Sequence, residues 1–99
     1  MTKEIMTFIK GNLSFSEAME HIQSGEEGVF IRRDAPIWGD SFIGLFPDVW
    51  SKTGKKWLST IKYRPECGIY AGGGSNRNFS EDDVFAKDWE VYKYERKEL

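Results

Sequence analysis

Arg32 and Arg33 close a short apolar run, and Trp38 follows them between Pro36 and Gly39. A guanidinium group takes phosphate oxygens in pairs, and an indole stacks on a base, so these residue types at this spacing fit nucleotide recognition. A second group lies in Gly72-Gly73-Gly74-Ser75-Asn76-Arg77-Asn78-Phe79. Consecutive backbone N–H groups ahead of a helix can cradle phosphate oxygens. Asn76, Arg77 and Asn78 add side chains that read bases and phosphates, and Phe79 adds a ring. The run is no P-loop, because the Lys and Ser or Thr that must follow the glycines are missing. A flexible hairpin loop is the competing reading for the glycines. For a loop tryptophan such as Trp38, the competing readings are a lid on the core and a subunit contact.

Catalytic groups are harder to assemble. Asp82, Asp83 and Asp88 cluster, but acids around a short helix read as a capped, solvated face rather than an acid/base pair. His21 falls on the polar side of a helix, where it is solvated, and Cys67 has no histidine near it in sequence to activate it. With one histidine and one cysteine the chain also lacks an ordinary zinc set. The expectation is a binding protein and not an enzyme, with no metal or cofactor.

The chain that must position these groups has 99 residues, 39% of them hydrophobic and 15% aromatic. One domain is the natural unit at that length, and a domain so small buries a modest share of its surface, so association with further copies would help it. Lys and Arg number 14 against 16 Asp and Glu, giving a net charge of −2. Polymeric nucleic acid is therefore an unfavourable partner, since phosphate-dominated binding needs a basic surplus or stripe. No apolar run is long enough to span a membrane, and a single free cysteine suits a reducing cytoplasm.

Residues 1–12 read as an N-terminal arm or short edge strand, and 13–99 as a single α+β domain. Ser14-Phe15-Ser16-Glu17 has capping-box spacing, and Phe15, Ala18, Met19 and Ile22 form one apolar stripe of a helix that Gly25 ends. Strands are expected at Val29–Arg33, Ser41–Phe46, Lys56–Tyr63, Cys67–Ala71 and Trp89–Tyr94, from β-branched and aromatic content and period-two alternation. Ser80 caps a short helix before the last of them. The fold class is α+β: a small antiparallel sheet with one N-terminal amphipathic helix and a short second helix before the last strand. Of the four tryptophans, Trp57 and Trp89 are assigned to the core and Trp38 and Trp50 to exposed loops.

Two motifs resemble a known family. Phe15, Ala18 and Gly25 followed by Val29 and Arg32 match its opening pattern. Ser80-Glu81-Asp82-Asp83-Val84-Phe85-Ala86-Lys87-Asp88-Trp89-Glu90-Val91 resembles its closing signature, Ser/Thr-x-x-Asp-hydrophobic-hydrophobic-Ala-x-Asp-Trp-Glu-Val. The family is the second type of phage Thoeris anti-defence protein: small sponges that bind cyclic ADP-ribose-type immune signals without degrading them, with related members taking cyclic dinucleotides. The resemblance implies a protein of the host cytoplasm that blocks Thoeris-type immunity, and a homo-oligomer, typically a tetramer, with pockets between subunits. Arg32 matches the family's strand arginine, Trp38 the tryptophan after it, and Asp83 the acid before the alanine. Family members carry Trp and Pro where this chain has Arg77 and Phe79. The expected ligand-binding set is Arg32, Trp38, Asn76, Arg77, Asn78, Phe79 and Asp83. Arginines would neutralise phosphate, Trp38 or Phe79 would stack on a base, and Asp83 would accept from ribose or a base amine. The alternatives are a protein-interaction module that docks through exposed tryptophans and a cyclic nucleotide hydrolase.

Overall fold

In a computed structural model, described for residues 2–24, 28–47, 52–71 and 79–98, strand β1 (Thr2–Leu13) leads into helix α1 (Phe15–Gln23). Strand β2 (Val29–Arg33), a 3-10 turn (Pro36–Trp38), β3 (Ser41–Pro47), β4 (Lys56–Arg64) and β5 (Gly68–Ala71) come next. Helix α2 (Glu81–Phe85) precedes the last strand, β6 (Trp89–Glu98). The strands form one antiparallel six-stranded sheet in the order β1-β6-β2-β3-β4-β5, curled into a half-barrel. The α+β class and the placement of both helices agree with the sequence reading.

Local signals account for the helices. The Ser14 hydroxyl accepts the Glu17 N–H at 3.2 Å, and the Glu17 carboxylate accepts the Ser14 N–H at 3.0 Å. Ala18 and Ile22 are buried, with Phe15 and Met19 packed beside them. Ser80 and Asp83 repeat the reciprocal cap at α2. Gly25, expected to end the first helix, lies outside the described residues.

Period-two alternation sorts the sheet residues into two cores. Ile31, Ile43, Trp89 and Val91 share one face, which α1 covers through Ala18 and Ile22. Phe30, Phe42 and Ile61 lie on the other, joined by Met6, Tyr63, Ile69, Tyr92 and Tyr94. Met6 and Ile69 come from the two opposite edge strands yet pack in one cluster, so this second face is the concave one. Gly44 sits directly opposite Phe30. A β-carbon there would fall 2.5 Å from the Phe30 ring, so the bare backbone is what lets that ring lie flat across β3.

The N-terminal segment is a longer strand than the sequence suggested. The segment read as an arm or short edge strand is a 12-residue edge strand paired with β6 along its length. Register shifts between Phe8 and Lys10 and between Lys10 and Leu13, with Asn12 at φ 55°, break the alternation that would have marked it as a strand. The same pairing carries β6 on to Glu98, beyond the expected end at Tyr94.

Side chains close the curl where β1 meets β5. The Tyr63 hydroxyl accepts the Met6 N–H at 3.1 Å and donates to the Glu4 carbonyl at 3.3 Å. The Glu4 carboxylate accepts from the Ile69 N–H at 3.1 Å and from the Tyr94 hydroxyl at 2.6 Å. Those hydrogen bonds, Tyr94 first, hold the Glu4 carboxyl below its ordinary range. One phenol thus stands in for a missing ladder partner. Tyr63→Phe is expected to cost about 1 to 2 kcal/mol, one ordinary hydrogen bond or two, and to speed amide exchange at Met6. An unchanged exchange rate there would show that the seam does not depend on the phenol.

Candidate functional site

Ser41 pairs with Lys62 and Lys62 with Ala71, while Arg32 pairs with Glu90 and Arg33 with Trp89. Arg32 and Arg33 are neighbours in sequence, and the strand sends them to opposite faces. Arg32 stands half-buried on the concave side, its guanidinium carbon 5.1 Å from the Phe42 ring centroid and its Nε donating to the Arg33 carbonyl at 3.3 Å.

Arg33 goes the other way, into a polar knot under α2. Its Nη1 donates to Asp83 Oδ1 at 2.9 Å and its Nε to Asp88 Oδ1 at 2.9 Å. The other Asp83 oxygen accepts from both the N–H and the hydroxyl of Ser80, at 3.1 Å each. The Asp83 backbone carbonyl accepts the Trp89 indole N–H at 2.8 Å. Burial pushes the Asp83 carboxyl up, but hydrogen bonds from Arg33 and Ser80 outweigh it and hold the group below its ordinary range.

A second arginine stacked on a ring, Arg64, stands at the end of β4. Asp40, just ahead of β3, accepts Arg64 Nε at 2.6 Å and the Tyr70 hydroxyl at 3.1 Å on the same carboxylate oxygen. The Arg64 guanidinium carbon lies 5.4 Å from the Tyr70 ring centroid. Hydrogen bonds from Arg64 and Tyr70, with the charges of Arg64 and Arg32 behind them, hold the Asp40 carboxyl below its ordinary range. Each of the two guanidinium groups therefore rests on an aromatic ring, and that of Arg64 is also bound to Asp40. Among the described residues, neither has an acceptor on its Nη atoms. Such groups can take phosphate oxygens or another planar anion, and Asp40 keeps the surface from being a general polyanion site.

Of the expected binding residues, Arg32 is half-buried on the concave side, and three others are taken up inside the fold. Trp38 is 1% exposed, its indole edge-on to Trp89 at 5.4 Å, so it is core and not a stacking platform. The 3-10 turn that Pro36 starts folds the indole back under the sheet, which flanking Pro and Gly residues do not reveal. Phe79 packs against Phe15 at 5.2 Å and Trp89 at 6.2 Å, extending the core. Asp83 is 7% exposed, and its oxygens are taken by Arg33 and Ser80, so it is neither a ribose acceptor nor part of a solvated face. Asn76, Arg77 and Asn78 lie outside the described residues, as do the glycine run and Trp50. The chain leaves β5 at Ala71, next to Tyr70, and re-enters the described structure at Phe79.

Trp57 exchanges places with Trp38. Expected in the core, it is 46% exposed at the start of β4, with the Lys55 ammonium 5.8 Å from its ring centroid. Its parity points to the concave face, but its position is at the rim. Sequence reasoning missed Arg64, Tyr70 and Asp40 altogether. Only the β3–β4–β5 register brings 40, 64 and 70 together, and no spacing rule links them. Among the described residues no group of three or more His, Cys, Asp or Glu side chains is placed to hold a metal ion, and no helix is long and apolar enough to cross a membrane.

Comparison of the chain with protein-family models, with curated proteins and with solved structures found no match.

Proposed function

We propose that this protein binds a cyclic nucleotide signal, a cyclic ADP-ribose isomer or a cyclic dinucleotide, and holds it uncleaved, withdrawing it from host Thoeris-type immunity. The observation that carries the reading is that Arg32 and Arg64 each lie on an aromatic ring, with no acceptor on their terminal nitrogens among the described residues. A compact ligand with two phosphates needs few donors, provided they are held in place before it arrives. Stacking on Phe42 and Tyr70 does that for the two guanidinium groups. Asn76, Arg77 and Asn78 complete the proposed set on their residue types, which suit bases and phosphates. A pocket enclosed between subunits of a homo-oligomer would supply the burial that a surface pair of arginines lacks. The motif resemblance supports the ligand class, and sequestration asks only for affinity, with no catalytic group.

The test is to incubate the protein with a panel of cyclic ADP-ribose isomers and cyclic dinucleotides, remove free ligand, denature by heat and identify what is released. Recovery of one compound intact is the expected result. Arg32→Ala and Arg64→Ala should each weaken its binding at least about tenfold, roughly one charge-assisted hydrogen bond, with the urea midpoint little changed. A cleaved product would make the protein a hydrolase, and no retention of any compound would end the proposal.

A further inference from the structure

Helix α2 and the 3-10 turn leave an apolar surface that the nucleotide reading does not use. Ile37 is 85% exposed and Phe85 is 74% exposed, the two most exposed large hydrophobic side chains among the described residues. They flank a cavity of about 550 Å³ lined by Arg33, Ala35, Glu81, Asp82 and Ala86 besides themselves.

We propose that this groove docks a segment of another protein in which lysine or arginine residues flank a large aliphatic or aromatic side chain. Electrostatics chooses the partner. One guanidinium, Arg33, faces four carboxylates here: Asp83 and Asp88 already hold its donors, while Glu81 and Asp82 are exposed and, among the described residues, have no basic partner. The groove is therefore apolar at its centre and negative at its rim, which repels phosphate and attracts a basic, apolar-tipped segment. A second copy applied face to face through a two-fold axis would bring Glu81 and Asp82 against their own counterparts, so symmetric self-pairing here is electrostatically opposed. The site is also preformed. The Ser80 cap and the Arg33 ion pairs fix α2 against β2, so docking would order little that is not already ordered.

The experiment uses the isotope-labelled full chain, titrated with two short synthetic amphipathic peptides, one of Lys and Leu and the other of Glu and Leu, and read by amide chemical shifts. The expected result is a saturable response to the Lys/Leu peptide confined to Ile37 and the α2 residues, weakened by added salt, with none to the Glu/Leu peptide. The double variant Ile37→Ser, Phe85→Ser should weaken binding at least about tenfold with an unchanged urea midpoint, since both side chains are exposed. Glu81→Lys with Asp82→Lys should reverse the preference between the peptides. A response elsewhere on the surface, an equal response to both peptides, or none would overturn the proposal. So would sedimentation showing an oligomer that the double serine variant dissociates, because a second copy would then own the groove.

Discussion

Trp89→Ala is expected to remove about 3 to 5 kcal/mol of folding free energy, the range for deleting a large buried aromatic ring. The indole is 0% exposed and touches the rings of Phe15, Trp38 and Phe79, at 5.3, 5.4 and 6.2 Å. Its N–H is also the donor to the Asp83 carbonyl. Truncation would therefore open a cavity where α1, the 3-10 turn and the approach to α2 converge, and would leave that carbonyl without its partner. Small domains have only about 5 to 15 kcal/mol to lose, so the variant should lie close to its unfolding transition at room temperature. Urea unfolding followed by near-ultraviolet circular dichroism measures the loss. Trp89→Phe separates the two contributions, since it keeps most of the ring and deletes the donor; about 1 to 3 kcal/mol is expected from the unpaired carbonyl. A loss under about 1 kcal/mol in the alanine variant would contradict the packing described for this ring.

Arg33→Ala should cost on the order of 3 kcal/mol, the lower end of the penalty for removing one partner of a buried ion pair, because Arg33 keeps some contact with water. The adjacent Arg32→Ala should cost little, since Arg32 has no carboxylate partner among the described residues. Acid distinguishes the reason. The Asp83 carboxyl in the folded protein lies below its unfolded value of about 4. The stabilisation it provides is thus fully present above that value and is lost as the pH falls through the lower, folded one. Without the Arg33 guanidinium, part of what lowers the Asp83 pKa is gone while burial still raises it, so less stabilisation remains to be lost on protonation. The gap in stability between the natural protein and Arg33→Ala should therefore narrow on acidification below about pH 4. A gap that stays constant with pH would mean that Arg33 acts by packing alone.

Much of the fold was legible because it rests on local rules. Capping-box spacing located α1 and a capping serine located α2, and β2 came out at its observed limits, since β-branched and aromatic runs between turn residues are strand signals whatever they pair with. Strand β1 escaped because its bulges erase the alternation on which such reading depends. The tryptophans were misjudged in both directions for one reason. Trp38 is covered by a turn that folds under the sheet, and Trp57 stays 46% exposed because it stands at the rim, so burial in each case depended on what lay opposite rather than on flanking residues.

The residues of the proposed binding set divide along the same line. Arg32 was visible as a cation ending a strand, whereas Arg64, Asp40 and Tyr70 meet only when β3, β4 and β5 are laid in register. Asp83 had the residue type of a ligand contact, but its neighbours made it an anchor. The chain's own order of residues determined where elements begin, which face of each is apolar, and the α+β class, because these depend on contacts a few residues apart. Which arginine is spent inside the fold, which keeps its terminal nitrogens without an acceptor among the described residues, and which apolar side chains remain uncovered were decided by the curl of the sheet. That curl sets contacts between residues tens of positions apart, and alternation along a single strand carries no information about them.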